Sequence, residues 1–134
     1  MFNSLDISTS GLIAQRTRLE VTSANLANRY SITDAQGNYS PFRRRMAILS
    51  TGDPSTGSSE GVHVRTIEQD QSDFRKVYEP GHRFADKDGN VNYPNIDPAM
   101  EMINALDASR AYEANITATE ATKAMIQSSL RLLA

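Results

Sequence analysis

Apolar residues concentrate at the two ends of this chain, and at both ends they recur with a helical period. Leu5, Leu12, Leu19 and Leu26 fall seven apart, and Ile7, Ala14 and Val21 repeat that interval two positions on. Both sets predict an N-terminal helix from about Ser4 to about Asn28, roughly 35–40 Å long. From Pro98 to Ala134 there is no glycine and no further proline. Along that stretch Ala111, Ala114, Ala118, Ala121, Met125, Ser128 and Leu132 alternate spacings of three and four. The repeat is close to the ~3.5-residue period of a coiled-coil seam. A helix of that length runs roughly 55 Å, too long for so small a domain to cover, so it needs a partner.

The N-terminal helix is the nearest partner. The expected fold is therefore mainly α with a small β middle, its terminal helices pairing as an antiparallel coiled coil. The short side chains of Ala111, Ala114, Ala118 and Ala121 are expected to set the close approach. Gly11, inside the first helix, costs about 1 kcal/mol relative to Ala. It marks either a close approach by another helix or a tolerated residue near a fraying first turn. Seam length favours burial of the remaining apolar faces, the leucine stripe included, against other molecules.

Between the helices the pattern changes. Residues 31–96 are expected to form loops and a small β segment between 1–30 and 97–134. Asp34, Gly37, Asn38 and Pro41 are turn formers, and 51–60 is nearly devoid of apolar residues and reads as a mobile loop. Short strands are expected around Phe42 to Ile48, over Gly61 to Ile67 and from Phe74 to Tyr78. Pro80-Gly81 and Asp88-Gly89-Asn90 are turn signals. Asp97 followed by Pro98 is a helix start: the aspartate accepts from free backbone N–H groups, and proline at the first helical position loses no needed donor. Glu101 adds negative charge near the positive end of the helix dipole. Leu130, Leu132, Leu133 and Ala134 keep the C-terminal residues apolar, a patch that favours contact with another surface.

Composition narrows the function. The 134 residues are one domain's worth of chain, 39% hydrophobic, with a net charge of −2. Nothing points to nucleic acid or an anionic membrane, and Arg43-Arg44-Arg45 is too short a basic run to change that. No window of 18 apolar residues is present, and the first residues lack the features of a cleavable signal. Cysteine is absent, which removes thiol chemistry and disulfides. His63 and His82 stand in different segments without acidic or hydroxyl partners at a recognisable spacing. Asp86-Lys87-Asp88-Gly89-Asn90 has its glycine too early for a calcium loop and reads as a turn. Nucleophile-elbow and phosphate-loop patterns are missing, while Asn38 and Asn115 begin glycosylation sequons of a kind common by chance. No catalytic constellation, metal site or cofactor site is expected, and the chain reads as a non-enzyme.

Residue strings sharpen this. Leu5-Asp6-Ile7-Ser8, Ser10-Gly11, Ala14-Gln15-Arg16 and Asn25-Leu26-Ala27-Asn28 resemble the N-terminal signature of flagellar rod, hook and related axial proteins. Tyr39 to Arg45, Val77 to His82 and Val91 to Asp97 are similar to the proximal-rod family of the FlgC type. Ser109-Arg110-Ala111-Tyr112-Glu113-Ala114-Asn115 matches that family's C-terminal motif. Ala24 stands where the family usually has a second Asn, and Arg29 to Thr33 replaces a Val-x-Thr-like stretch. The 51–60 segment is also individual.

The resemblance implies a structural subunit of the bacterial flagellar basal-body rod, found in the periplasm after passage through the flagellar type III export apparatus. Such subunits polymerise helically into a hollow drive shaft that transmits torque. Implied partners are further copies of the chain, rod proteins of the FlgB, FlgF, FlgG and FliE types, and the export apparatus. No nucleic acid and no membrane insertion are implied. The expected assembly seam is Leu5, Leu12, Leu19, Leu26, Ala111, Ala114, Ala118, Ala121, Met125 and Leu132. The family-motif residues are Asn25, Leu26, Ala27, Asn28, Ser109, Arg110, Tyr112, Glu113 and Asn115. Both chain ends are expected to be largely mobile in the isolated molecule and to order on assembly. The alternative is a soluble coiled-coil adaptor using the same seams without export.

Overall fold

A computed structural model of the chain describes residues 2–53 and 57–133. Two long helices, α1 (Phe2–Ala27) and α2 (Pro98–Leu133), flank four strands: β1 (Arg45–Asp53), β2 (Ser58–Gln69), β3 (Arg75–Tyr78) and β4 (Asn90–Tyr93). The architecture is mainly α with a small antiparallel β middle, as the pattern predicts.

Local chemistry explains the boundaries. Asp97 accepts the Ala99 N–H through Oδ1 at 2.9 Å and the Glu101 N–H through its carbonyl at 3.0 Å, which starts α2 at Pro98. At the end of α1 the Asn28 side chain donates back to the Ala24 carbonyl at 2.8 Å. The chain then turns through an isolated bridge between Thr33 and Tyr39, around the Asp34 carboxylate. Asp86 organises the other turn in the same way, accepting from the N–H groups of Asp88 and Asn90. Its loop serves as the connection into β4.

β1 and β2 form an antiparallel hairpin whose register shifts between Ile48 and Leu49 and again between Thr51 and Asp53. The segment expected as a loop over 51–60 is largely strand: Thr51–Asp53 complete β1 and Ser58–Glu60 open β2, with 54–56 outside the described residues. Glycine explains how the pairing passes through so polar a stretch. Gly52 has a φ of 81°, and a Cβ there would lie 2.7 Å from the Ser58 carbonyl oxygen. β3 and β4 pair from Arg75 opposite Tyr93 to Tyr78 opposite Asn90. The β4 strand is one the alternation pattern does not announce. Tyr39 supports it from the side, its hydroxyl accepting the Asn92 N–H at 3.0 Å while the ring stacks on Phe84.

The two helices pack on each other in opposite order, Asn25 meeting Glu101 and Gly11 meeting Asn115. Gly11 is a close-approach residue: a Cβ there would stand 2.9 Å from Asn115 Nδ2. The hairpin lies against the other side of α1, where Ser10 Oγ accepts the Val62 N–H at 3.1 Å. The core is thin, with Ala14, Val21, Ile32, Val91, Ile96 and Ala108 its buried apolar residues.

The inner face of α2 differs from the expected one. Ala108, Ala111, Asn115, Thr119, Thr122, Ile126 and Ser129 are buried or half-buried, while Ala114, Ala118, Ala121, Met125 and Ser128 are exposed. Ala111 alone of the four expected alanines is half-buried, so Ala114, Ala118 and Ala121 do not set the approach to α1. The cause is a rotation of one residue, about 100° around a helix. The inward positions carry Asn and Thr, which an apolar pattern passes over.

Candidate assembly interface

Two features of this fold bear on function: a buried polar junction that joins three elements, and an outward face of α2 left uncovered.

The junction is built where the end of α1, the start of β1 and the first turn of α2 meet. Asn25 and Glu101 are each 1% exposed. The Asn25 carboxamide pairs with the Arg45 peptide as a strand would, Nδ2 donating to the carbonyl and Oδ1 accepting the N–H, both at 2.8 Å. Its Nδ2 also donates to Glu101 Oε2 at 3.0 Å, and Arg44 Nε donates to the other carboxylate oxygen at 2.7 Å. Among the described residues no buried side-chain nitrogen or oxygen lacks a partner, so the charge is held by a complete set of bonds. A cavity of about 140 Å³ adjoins it, lined by Arg18, Thr22, Arg44, Glu101 and Asn104.

Sequence reasoning had each of these residues but not their meeting: Asn25 within the motif, Arg44 in the basic run, Glu101 as a dipole charge. A signal existed. Glu101, Ala108, Asn115, Thr122 and Ser129 fall seven apart, as do Gly11, Arg18 and Asn25. A heptad register read for small and polar residues would have picked out the inner faces.

The outward face of α2 carries Met100, Ile103, Asp107, Arg110, Ala114, Ala118, Ala121, Met125, Ser128 and Leu132, every one exposed and spaced by three or four. Met100 and Ile103 are each 52% exposed, Met125 59% and Leu132 86%. Leu106 adds to the apolar surface alongside. On α1 the leucines divide differently: Leu5, Leu12, Leu19 and Leu26 are all half-buried, flanking the inner row of Gly11, Ala14, Val21 and Asn25. The C-terminal motif also splits by face. Ser109, Tyr112 and Asn115 turn inward, whereas Arg110 and Glu113 are exposed. In the N-terminal motif Asn25 is buried, Leu26 and Asn28 are half-buried, and Ala27 is exposed.

In the middle segment, the two histidines are engaged by the local backbone. His63 Nδ1 donates to the Gly52 carbonyl at 2.7 Å, and His82 Nδ1 accepts the Phe84 N–H at 3.1 Å. An open cleft of about 630 Å³ is lined by Asn28, Tyr39, Phe42, Arg43, Arg45 and Phe74. Its arginines lie over aromatic rings, Arg43 over Phe74 and Arg45 over Phe42. Backbone N–H donation from Ser72, then its side chain, holds the Asp70 carboxyl below its ordinary range. Burial, then the bond to Glu79, raises the Tyr93 hydroxyl. Among the described residues no cluster of metal-ligating side chains occurs, and no helix is long and apolar enough to cross a membrane.

Comparison with known proteins converges on the same two helices. A family model described as flagella basal body rod protein matches residues 5–29. A second, described as flagellar basal body rod FlgEFG protein C-terminal, matches residues 87–132. The chain is 39% identical over 145 residues to the flagellar basal-body rod protein FlgC of Bacillus subtilis, covering 98% of this chain and 97% of that one. It is 37% identical over 132 residues to FlgC of Salmonella typhimurium, again covering 98% and 97%. With FlgC of Borreliella burgdorferi the identity is 35% over 150 residues, covering 99% and 97%. At this identity, over nearly the whole of each chain, the chain belongs to the FlgC family of flagellar basal-body rod proteins.

Proposed function

We propose that this chain, a structural subunit of the flagellar basal-body rod, joins its neighbours through the outward face of α2. The observation that carries the reading is the uncovered row from Met100 to Leu132, which has the spacing of a helix–helix seam and is covered by none of the described residues. Short side chains at Ala114, Ala118 and Ala121 let a neighbouring helix come close, and Met125 and Leu132 supply apolar area at one end. On α1 the exposed part of Leu5, Leu12, Leu19 and Leu26 adds to the same contact. Within the subunit the two helices act as one antiparallel coiled coil forming the rod's core domain, comprising 1–30 and 97–134. Residues 31–96 stand on its flank. The partners are further copies of the chain and rod proteins of the FlgB, FlgF, FlgG and FliE types, reached after export through the flagellar type III apparatus. The role is mechanical and not enzymatic: helical polymerisation of this seam builds a shaft that carries torque.

The test is a separation of folding from assembly. Leu at both Ala114 and Ala118 leaves the purified chain's melting temperature unchanged, since both sites are exposed. The same change overpacks a close helix–helix contact by about 1–3 kcal/mol at each interface. The expected phenotype is a folded, exported protein with few or no rods and lost motility. Normal rods and swimming with both leucines in place would remove the α2 seam from the assembly.

A further inference from the structure

Little in the apolar contact between α1 and α2 fixes how far one helix is slid along the other. The inner faces repeat small residues, Gly11 and Ala14 on α1 and Ala105, Ala108 and Ala111 on α2, all buried or half-buried. The observed pairing sets Asn25 against Glu101 and Gly11 against Asn115, and each pair of positions is fourteen residues apart along its own helix. Slid by seven residues one way, Gly11 would face Ala108 and Arg18 would face Glu101. Slid the other way, Asn25 would face Ala108. The small side chains tolerate both alternatives, the loss of the fit between Gly11 and Asn115 apart, and the first even offers Glu101 another cation.

The polar junction does not tolerate them. Asn25 uses both ends of its carboxamide on the Arg45 peptide and a further donation on Glu101, while Glu101 holds Arg44 through its second oxygen. These bonds tie α1, the hairpin and α2 at one point. In the first slip Asn25 would pass beyond the start of α2 and lose Glu101. In the second its remaining hydrogen would face a methyl group, and the Glu101 carboxylate would be carried away from Arg44. Leaving buried polar and charged groups unpaired weighs heavily against an alignment, more than losing a small apolar contact does.

We infer that Asn25, Arg44 and Glu101 form a register lock, a polar triad with Asn25 and Glu101 buried and Arg44 half-buried, that admits one axial alignment of the terminal helices and the hairpin within a single chain. The lock decides where the outward row of α2 stands relative to the hairpin. Stability is a separate matter, because an apolar replacement of a buried ion pair is frequently neutral or stabilising. The lock therefore predicts a variant that folds well but in more than one register.

The chain has no cysteine, so spin labels can be placed cleanly at Ser23→Cys on α1 and Thr117→Cys on α2, both exposed and well separated along the helix axis, so that a slip in either direction changes their distance. Double electron–electron resonance on the isolated full-length chain reads the distance between them. The expected result is one narrow distance with the triad intact. With Arg44→Met and Glu101→Met together, helicity by circular dichroism is kept and a second distance appears, displaced by about 4 Å for one turn or about 8 Å for a heptad. Glu101→Gln, of the same size and retaining an acceptor for Asn25, gives a smaller second population. A single unshifted distance in the double variant overturns the lock. Should the double variant not fold, a Glu101→Gln distribution identical to that of the parent overturns it, and so does a broad distribution in the parent itself.

Discussion

Gly11→Ala sets two effects of opposite sign against each other. Alanine is the better helix former by about 1 kcal/mol, which alone would stabilise α1. The new methyl, however, would stand 2.9 Å from Asn115 Nδ2 and 3.1 Å from its Cγ and Oδ1. Asn115 must move, and its Nδ2 already donates to the Ala111 carbonyl at 2.9 Å. Losing that bond costs about 1 kcal/mol, and reseating the side chain in a packed contact adds about 1–2 kcal/mol. The net expectation is a destabilisation of about 1–2 kcal/mol in urea unfolding of the purified chain. The same change in an Asn115→Ala background meets no amide, so the propensity gain is left and the sign reverses to a stabilisation of about 0.5–1 kcal/mol. The double-mutant cycle therefore has a coupling energy of about 1.5–3 kcal/mol. Stabilisation by Gly11→Ala with Asn115 present would mean that the helices do not approach closely at this point, and the reasoning fails.

Three other outcomes follow from the same geometry. Acid sensitivity traces in part to Asp34, whose carboxyl is held below its ordinary value chiefly by the Asn38 N–H, with Gln36 and Gly37 contributing. A depressed folded-state pKa gives stability that is present above the unfolded value and lost as pH falls through the folded one, so urea midpoints between pH 5 and about 2 should fall less steeply for Asp34→Asn. Hydrogen exchange of the isolated chain should show protection in α1 from about Ser10 onward and in α2 up to about Tyr112, with little beyond Thr119, where Thr122, Ile126 and Ser129 are half-buried and their neighbours exposed. Uniformly fast exchange through α1 would favour the expectation that both ends are mobile. Sedimentation velocity of the purified chain at micromolar concentration should give a monomer, whereas a defined dimer would support a coiled-coil adaptor.

Much of the fold is legible in the residues, and what is not has a physical reason. The Asp97-Pro98 start, the turns at Asp34 and Asp86 and the two helices are written in local chemistry, where each residue meets partners a few positions away. The hairpin between 45 and 69 is less legible, because Thr51, Gly52 and Ser58 to Glu60 look like a loop until Gly52 at positive φ lets β1 pass close to Ser58. β4 depends on Tyr39, 53 residues away from the Asn92 it supports. The inner face of α2 lies one residue away from its apolar stripe, because Asn115, Thr119 and Thr122 do the inward packing and apolar periodicity passes over them. The Asn25–Glu101 contact joins residues 76 apart, and no local rule reports a pair whose only common property is the space that closes around it.

The inward turn of small and polar residues has a consequence for energetics. The subunit spends small and polar residues on its own helix contact and leaves Met100, Ile103, Leu106, Met125 and Leu132 outside, between 51% and 86% exposed. Burying such a side chain fully is worth about 1.5–3 kcal/mol, so what remains to be gained from all five is on the order of 5–10 kcal/mol. A single pairwise association loses an estimated 4–15 kcal/mol in translational and rotational freedom and side-chain ordering. One neighbour thus brings the balance close to zero, and a dimer through this face alone is marginal. Several neighbours contacting the same subunit change the outcome, because the loss of overall freedom is incurred once while each added contact brings further burial. A row of this kind along a helix rising past its partner is suited to a lattice and poorly suited to a pair, which is the arrangement a rod requires.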